Sequence, residues 1–167
     1  MLELVVVLAI VGILATMAVT TYISYLPHLR LNNESRKFAM DLLMARQLAV
    51  KENRIFYTCL TIASEKYDIY RLTASAEDGA PCDGSGNEQL YKSYTFDTGV
   101  DLDAAYKADG TTFTRVYSCP DGLAALVSNC PDTSTSFPLR INVKVSGGPD
   151  PENRLVSIRL SGSVTVK

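Results

Sequence analysis

An almost unbroken apolar run opens the chain, from Met1 to Tyr25: MLELVVVLAIVGILATMAVTTYISY. No residue between Leu4 and Ile23 carries a charge. A helix rises about 1.5 Å per residue, so about twenty residues reach roughly 30 Å, the thickness of the hydrocarbon core of a bilayer. The run therefore predicts a membrane-length helix over 1–25.

The run contains a single carboxylate, Glu3, close to its start. An acid within an apolar helix costs on the order of 2.5 to 3.5 kcal/mol on insertion scales, so it usually has a partner. No basic side chain follows it until His28 and Arg30, and we therefore expect the partner to come from another molecule. A cleaved signal peptide would need a basic start, and a plain signal anchor would give no reason for the acid.

The segment from Leu2 to Val7, continued by Gly12-Ile13-Leu14-Ala15 and ending at Tyr22, resembles the N-terminal helix of type IV pilins and of type II secretion pseudopilins. The resemblance implies an assembly role for Glu3 and Gly12. In that family a prepilin peptidase cuts before the mature N-terminus and methylates the new amine, which pairs with the Glu of a neighbouring subunit. It also implies that this chain begins slightly inside the mature sequence, or that its start is misassigned. Many pilins have Pro where this chain has Thr20.

An amphipathic pattern follows Pro27, which we expect to kink one continuous helix that ends near Asn53. Apolar residues recur at helical spacing and predict a face packed on a sheet: Leu31, Phe38, Leu42, Ala45 and Ala49. The charged residues are predicted to lie on the other faces: Arg36, Lys37, Asp41, Arg46 and Lys51. The stretch from Asp41 to Asn53 also resembles the GspH/FimT branch of the family, although Arg46 alone is typical of any solvated helix residue.

The period changes after the helix, and alternating β-branched and aromatic residues predict a β-rich head over 54–167. The predicted strands cover 54–62, 66–72, 89–96, 111–117, 138–145, 155–160 and 163–167, with a surface loop over 73–88. The expected fold class is α+β, a long N-terminal α-helix packed on a mostly antiparallel sheet head. The expected parts are an apolar half at 1–25, an amphipathic half at 26–53 and the head.

Four cysteines, without a histidine cluster, favour disulfides over a metal site and place the head outside the cytoplasm. Three pairings are possible, and the sequence alone does not choose among them. We predict sequential closure, each bond contributing about 2 to 4 kcal/mol. The predicted pairs are Cys59 with Cys82 and Cys119 with Cys130.

The sequence offers little support for catalysis, and we expect no enzyme, no cofactor and no metal. His28 is the only histidine, and no nucleotide loop is present. Asp101, Asp103 and Asp109 lack the spacing of a calcium loop, so a solvated loop is expected there. A net charge of about −2 gives no general case for nucleic acid. The tail after Gly162 also lacks the Gly-Arg-x-Arg of DNA-binding FimT-like proteins, so DNA is an unlikely partner.

The pattern and the resemblance together predict a structural subunit of a type IV pilus-like or type II secretion pseudopilus filament. Its partners would be copies of itself or related pilins, the inner-membrane assembly platform and the prepilin peptidase. It would be a single-pass inner-membrane protein before assembly and part of a surface or periplasmic filament afterwards. Two alternatives stay open: a minor tip subunit acting as an initiator or a DNA- or substrate-binding adaptor, and a lone membrane-anchored extracytoplasmic binding domain.

Overall fold

The computed structural model describes residues 2–72, 88–126, 137–146 and 153–167. One helix, α1, runs without interruption from Leu2 to Glu52, with Pro27 inside it. It ends where Asn53 adopts a left-handed backbone conformation (φ 50°), which cannot continue a right-handed helix. The predicted end near Asn53 is therefore confirmed.

Nine strands follow in the described residues. They are β1 (Phe56–Thr61), β2 (Lys66–Leu72), β3 (Glu88–Thr95), β4 (Val100–Tyr106), β5 (Arg115–Ser118), β6 (Ala124–Ala125), β7 (Leu139–Val145), β8 (Asn153–Ile158) and β9 (Val164–Val166). They form two sheets, ordered β3-β2-β1-β5-β6 and β4-β7-β8-β9. Every pairing in these sheets is antiparallel. The predicted fold class, a long helix on an antiparallel β head, is confirmed.

The helix contacts strands of both sheets, and its buried face closes the core between them. The five apolar residues predicted to pack are all buried: Leu31, Phe38, Leu42, Ala45 and Ala49. The Phe38 ring lies 4.7 Å from that of Tyr67 and 5.9 Å from that of Phe96, between centroids. Fully burying such a side chain contributes about 1.5 to 3 kcal/mol, so this face attaches the second half of the helix to the head.

A second apolar cluster lies on the opposite face of the five-stranded sheet. It contains Tyr57, Cys59, Tyr70, Leu72, Tyr117, Cys119 and Ala125. Burial raises the pKa of the Tyr57 hydroxyl above its usual range. The strands β1 and β2 are thus buried on both faces of this sheet, with Tyr67 packed on one face and Tyr57 on the other.

Two strands were not expected from the sequence. The prediction of a solvated loop around Asp101 and Asp103 was wrong, because both residues lie in β4 and pair with β7. The Asp103 carboxylate accepts a hydrogen bond from Lys144 (Oδ1–Nζ 2.6 Å), and Asp101 accepts one from Ser146. The short strand β6 was also missed. The loop predicted at 73–88 lies outside the described residues except for Glu88, which begins β3.

Candidate assembly surface

The first half of α1 stands away from the head with its apolar side chains in solvent. Between 49% and 65% of each large hydrophobic side chain is exposed at Leu4, Val5, Val6, Val7, Leu8, Ile10, Val11, Ile13, Leu14, Met17, Val19, Tyr22, Ile23 and Tyr25. Soluble monomers rarely expose contiguous apolar patches larger than a few hundred Å², and larger ones mark interaction sites. This half of the helix is therefore the candidate functional surface.

Among the described residues, no helix is both long enough and apolar enough to cross a bilayer. The membrane-spanning role predicted for 1–25 is thus not confirmed.

Glu3 lies in the first turn of α1 and is exposed in the isolated chain. A carboxylate at this position is favoured by the partial positive charge of the helix N-terminus. At the other end of the bare half, Arg30 Nη1 donates to the Thr98 carbonyl (3.4 Å), and Leu31 is the first buried residue among the described side chains. An assembly role for Glu3 stays a prediction.

Gly12 lies in the middle of the exposed half, and a Cβ built there would meet no atom within 4 Å. A glycine inside a helix costs about 1 kcal/mol relative to alanine. Nothing within the described chain explains that cost, and the assembly role of Gly12 stays a prediction.

Two buried acids clip the second half of the helix to the β2–β3 hairpin. Asp41 accepts hydrogen bonds from Tyr67 Oη (2.6 Å) and from Lys92 Nζ (2.6 and 2.7 Å). Two helical turns earlier, the Glu34 carboxylate accepts a hydrogen bond from Tyr94 Oη (2.9 and 3.0 Å to its two oxygens). Burial, followed by the bond to Asp41, raises the pKa of Tyr67 above its usual range.

The prediction that Asp41 lies on a face away from the sheet was wrong, since it is 7% exposed and bound to the sheet. Helical spacing alone places Asp41 beside Leu42 and Ala45, but charge argues against burial unless a partner is known. The partners Tyr67 and Lys92 are far away in sequence. Only the fold reveals them.

Arg46 is also not the solvated helix residue that its sequence context alone suggests. It is half-buried, and its Nε donates to the Gly122 carbonyl (2.7 Å) in the turn between β5 and β6. A Cβ at Gly162 would lie 2.5 Å from that same oxygen and 2.7 Å from Arg46 Nε. The helix and turns of both sheets thus meet at one point, where only glycine fits at position 162.

Cys59 and Cys119 are buried and each is disulfide-bonded. Cys59 lies opposite Arg115 in the β1–β5 pairing, which puts Cys119 four positions along the strand, about 13 Å away. A disulfide needs Cα atoms within about 7 Å, so these two are not joined to each other. One of the three pairings is excluded. The pairs Cys59–Cys82 and Cys119–Cys130 stay a prediction, because Cys82 and Cys130 lie outside the described residues.

The described part of the chain holds no group of three or more His, Cys, Asp or Glu side chains placed to bind a metal ion. Asp109 accepts hydrogen bonds from the backbone N and side-chain Oγ1 of Thr111 (2.9 and 2.6 Å), and these bonds hold the pKa of its carboxyl below the usual range. It therefore caps its own turn, as an Asx turn does.

A long N-terminal helix, bare in its first half and packed on antiparallel sheets in its second, defines the pilin class of fold. Solved structures with this fold include the minor pseudopilin EpsH of the type 2 secretion system of Vibrio cholerae. One structure of EpsH has a TM-score of 0.59 at 14% identity, over 83% of this chain and 96% of EpsH. A second structure of EpsH has a TM-score of 0.60 at 12% identity, over 83% of this chain and 95% of EpsH.

The type IV minor pilin FimU of Pseudomonas aeruginosa is also similar. Its TM-score is 0.55 at 14% identity, over 84% of this chain and 90% of FimU. Neither a protein-family model nor a curated protein matches the sequence. At these identities the comparison establishes the fold, and the resemblance to the GspH/FimT-like branch is confirmed at that level.

Proposed function

We propose that this chain is a non-enzymatic subunit of a pilus or secretion pseudopilus, polymerised through its N-terminal helix. One observation carries the proposal: a helix half with exposed apolar side chains and one acid projects from a head of pilin fold. Removing apolar surface from water contributes about 25 cal/mol per Å², so packing these helices together drives association. Two solved structures with this fold, EpsH and FimU, are a minor pseudopilin and a type IV minor pilin.

Glu3 sets the axial register in this proposal. Once helices pack, water is excluded, and a carboxylate without a positive partner costs several kcal/mol. Only staggers that bring a positive group of a neighbour to Glu3 avoid that cost. In the family that this chain resembles, the group is the neighbour's N-terminal amine.

The same helix half would hold the subunit in the inner membrane before assembly. The described helix does not meet the criteria of a span, so this part of the proposal rests on the sequence, in which no charge occurs from Leu4 to Ile23. A prepilin peptidase and an inner-membrane assembly platform would act at this stage. Flotation of cell membranes on a density gradient tests it: the unassembled chain should float with the inner membrane.

Replacing the acid tests the assembly mechanism. Glu3→Ala and Glu3→Val should abolish incorporation into filaments while leaving the head folded, because position 3 touches no part of the head. Asp97→Ala is the matched control, since it removes an exposed acid from the head surface. Filaments are sheared from cells and the chain is quantified by immunoblot, with urea unfolding of the cell-associated chain as the folding control. Normal incorporation of the Glu3 variants would refute the mechanism.

A minor, tip-located role is the second candidate, because EpsH and FimU are both minor subunits. Quantitative mass spectrometry of sheared filaments separates the two. A major subunit would be the dominant component, whereas a minor one would be present at trace level. A chain absent from every filament would instead favour a lone anchored binding domain.

A further inference from the structure

The outward face of the second helix half carries apolar residues that the head does not cover. Met40 is 64% exposed and Val50 is 52% exposed, and Leu43 is half-buried. With Gln47 they occupy positions spaced by three and four residues, the spacing of a coiled-coil seam. The row begins one step earlier with the exposed Arg36. We call this row the outer seam: Arg36, Met40, Leu43, Gln47 and Val50.

The outer seam borders a shallow groove, which adds shape to the apolar surface. The turn at Asp121 and Gly122 forms one side, and the helix forms the other with Leu43, Arg46, Gln47, Val50 and Lys51. The bond from Arg46 to Gly122 holds that turn against the helix. The seam is thus a fixed surface into which the side chains of another helix can pack.

The bare half of the helix contains a row with the same spacing. We call it the N-terminal seam: Glu3, Val7, Ile10, Leu14 and Met17. Its members match the outer seam at one common offset of 33 residues, Glu3 to Arg36 and Val7 to Met40 alike. A parallel copy displaced by that offset, about 50 Å along the helix axis, would place three apolar layers together, Val7 on Met40, Ile10 on Leu43 and Met17 on Val50. It would also place Leu14 on Gln47 and Glu3 beside Arg36.

The charges select this offset from its neighbours. An offset smaller by seven residues would place Glu3 opposite Leu29, and one larger by seven would place it opposite Leu43, so the acid would lack a partner in both. Among the described residues Arg36 makes no ion pair. A guanidinium offers five donors, enough to bind a carboxylate with two parallel bonds.

We propose that the outer seam binds the N-terminal seam of a second copy of this chain, with Arg36 paired to Glu3 across the contact. The inference rests on the proposed filament role and names the partner of its assembly surface. Glu3 has two carboxylate oxygens, so this pairing is compatible with a bond to a terminal amine. The contact makes each subunit's outer helix face part of the filament interior.

Cysteine pairs in the full chain test the offset inside filaments. Val7→Cys with Met40→Cys should give disulfide-linked multimers on mild oxidation, because a 33-residue offset brings these positions together. Within one chain they are about 50 Å apart, so every bond must join two copies. Leu14→Cys with Met40→Cys is the matched control, which uses the same faces seven residues away, about 10 Å too far for a disulfide.

The charge pair is tested separately. Arg36→Glu should lower the amount of chain in sheared filaments by about tenfold or more, since like charges across a packed contact cost several kcal/mol. Arg36→Lys should restore most of it. Arg140→Glu, the same charge reversal at an exposed position of β7 outside both seams and the groove, should have little effect.

The failures of the two proposals are distinguishable. If no filament contains the chain, the filament role fails. If filaments contain it but Val7→Cys/Met40→Cys gives no cross-link, or the Leu14→Cys control cross-links better, the offset is wrong while the filament role stands. If Val7→Cys/Met40→Cys cross-links only to a different protein, the outer seam does not bind a second copy of this chain.

Discussion

The buried acid that joins helix to sheet gives a prediction whose size follows from the structure. Asp41→Ala removes the acceptor for Tyr67 Oη and for Lys92 Nζ. Tyr67 is fully buried, so its unpaired hydroxyl costs about 1 to 3 kcal/mol. The Lys92 side chain is 34% exposed and reaches water, so its lost ion pair adds only about 0 to 1 kcal/mol. We expect Asp41→Ala to lower the free energy of unfolding by about 1 to 4 kcal/mol.

Tyr67→Phe is the matched variant, because it removes the same hydrogen bond and leaves Asp41 paired with Lys92. It should cost only about 1 kcal/mol. The double variant should cost less than the sum of the two single variants, since both substitutions remove the same hydrogen bond. Urea unfolding of the full chain in mild detergent, followed by circular dichroism, measures all three. Strict additivity of the two costs would show that Asp41 does not act through Tyr67.

Three further predictions concern the head. Gly162→Ala should lower the free energy of unfolding by about 1 to 3 kcal/mol, because its Cβ would overlap the Gly122 carbonyl oxygen at positive φ. Gly110→Ala, at positive φ with open space around it, should lower it by less. Equal losses of stability in thermal unfolding would contradict the packing argument. The buried hydroxyls of Tyr57 and Tyr67 have raised pKa values, so their contribution is complete below about pH 10 and should fall above it by up to about 1.4 kcal/mol per pH unit for each residue. Because exposed tyrosines also ionise near pH 10, the test compares the chain with a Tyr57→Phe/Tyr67→Phe variant, and a larger tyrosinate absorbance of the unsubstituted chain before unfolding would refute this. Non-reducing peptide mapping should recover the sequential disulfide pairs; recovery of the crossed pairs would overturn that assignment.

Periodicity was sufficient to predict the helix and its core face. The apolar residues from Leu31 to Ala49 are spaced by about one or two helical turns and so share one side, and all five residues predicted there are buried. The β1–β2 hairpin was equally accessible, because alternating aromatic and β-branched residues flank a short polar turn. Both signals are local, so a single sequence contains them in full.

The strand β4 was not accessible in this way. Its sequence VDLDAAY contains two Asp and two Ala, residues depleted in strands, and its place is determined by pairing with β7 some forty residues later. The buried Asp41 and the half-buried Arg46 were missed for the same reason. Their partners Lys92 and Gly122 come from distant strands and turns, and tertiary contacts override local preference.

The assembly residues show the reverse situation. Glu3 and Gly12 are conspicuous in the sequence, as an acid and a glycine in an apolar run, yet the isolated chain gives neither of them a contact that explains it. The proposed filament would supply such contacts. The sequence could therefore indicate the surface, but the geometry of its partner depends on a second molecule.

Electron microscopy of filaments sheared from cells, with mass spectrometry to count this chain in them, tests the central claim most directly. The account predicts that filaments contain the chain, with its N-terminal helix in the interior and Glu3 beside a positive group of a neighbouring subunit. Filaments that lack the chain altogether, or that contain it with the apolar helix half outside the packed interior, would contradict it.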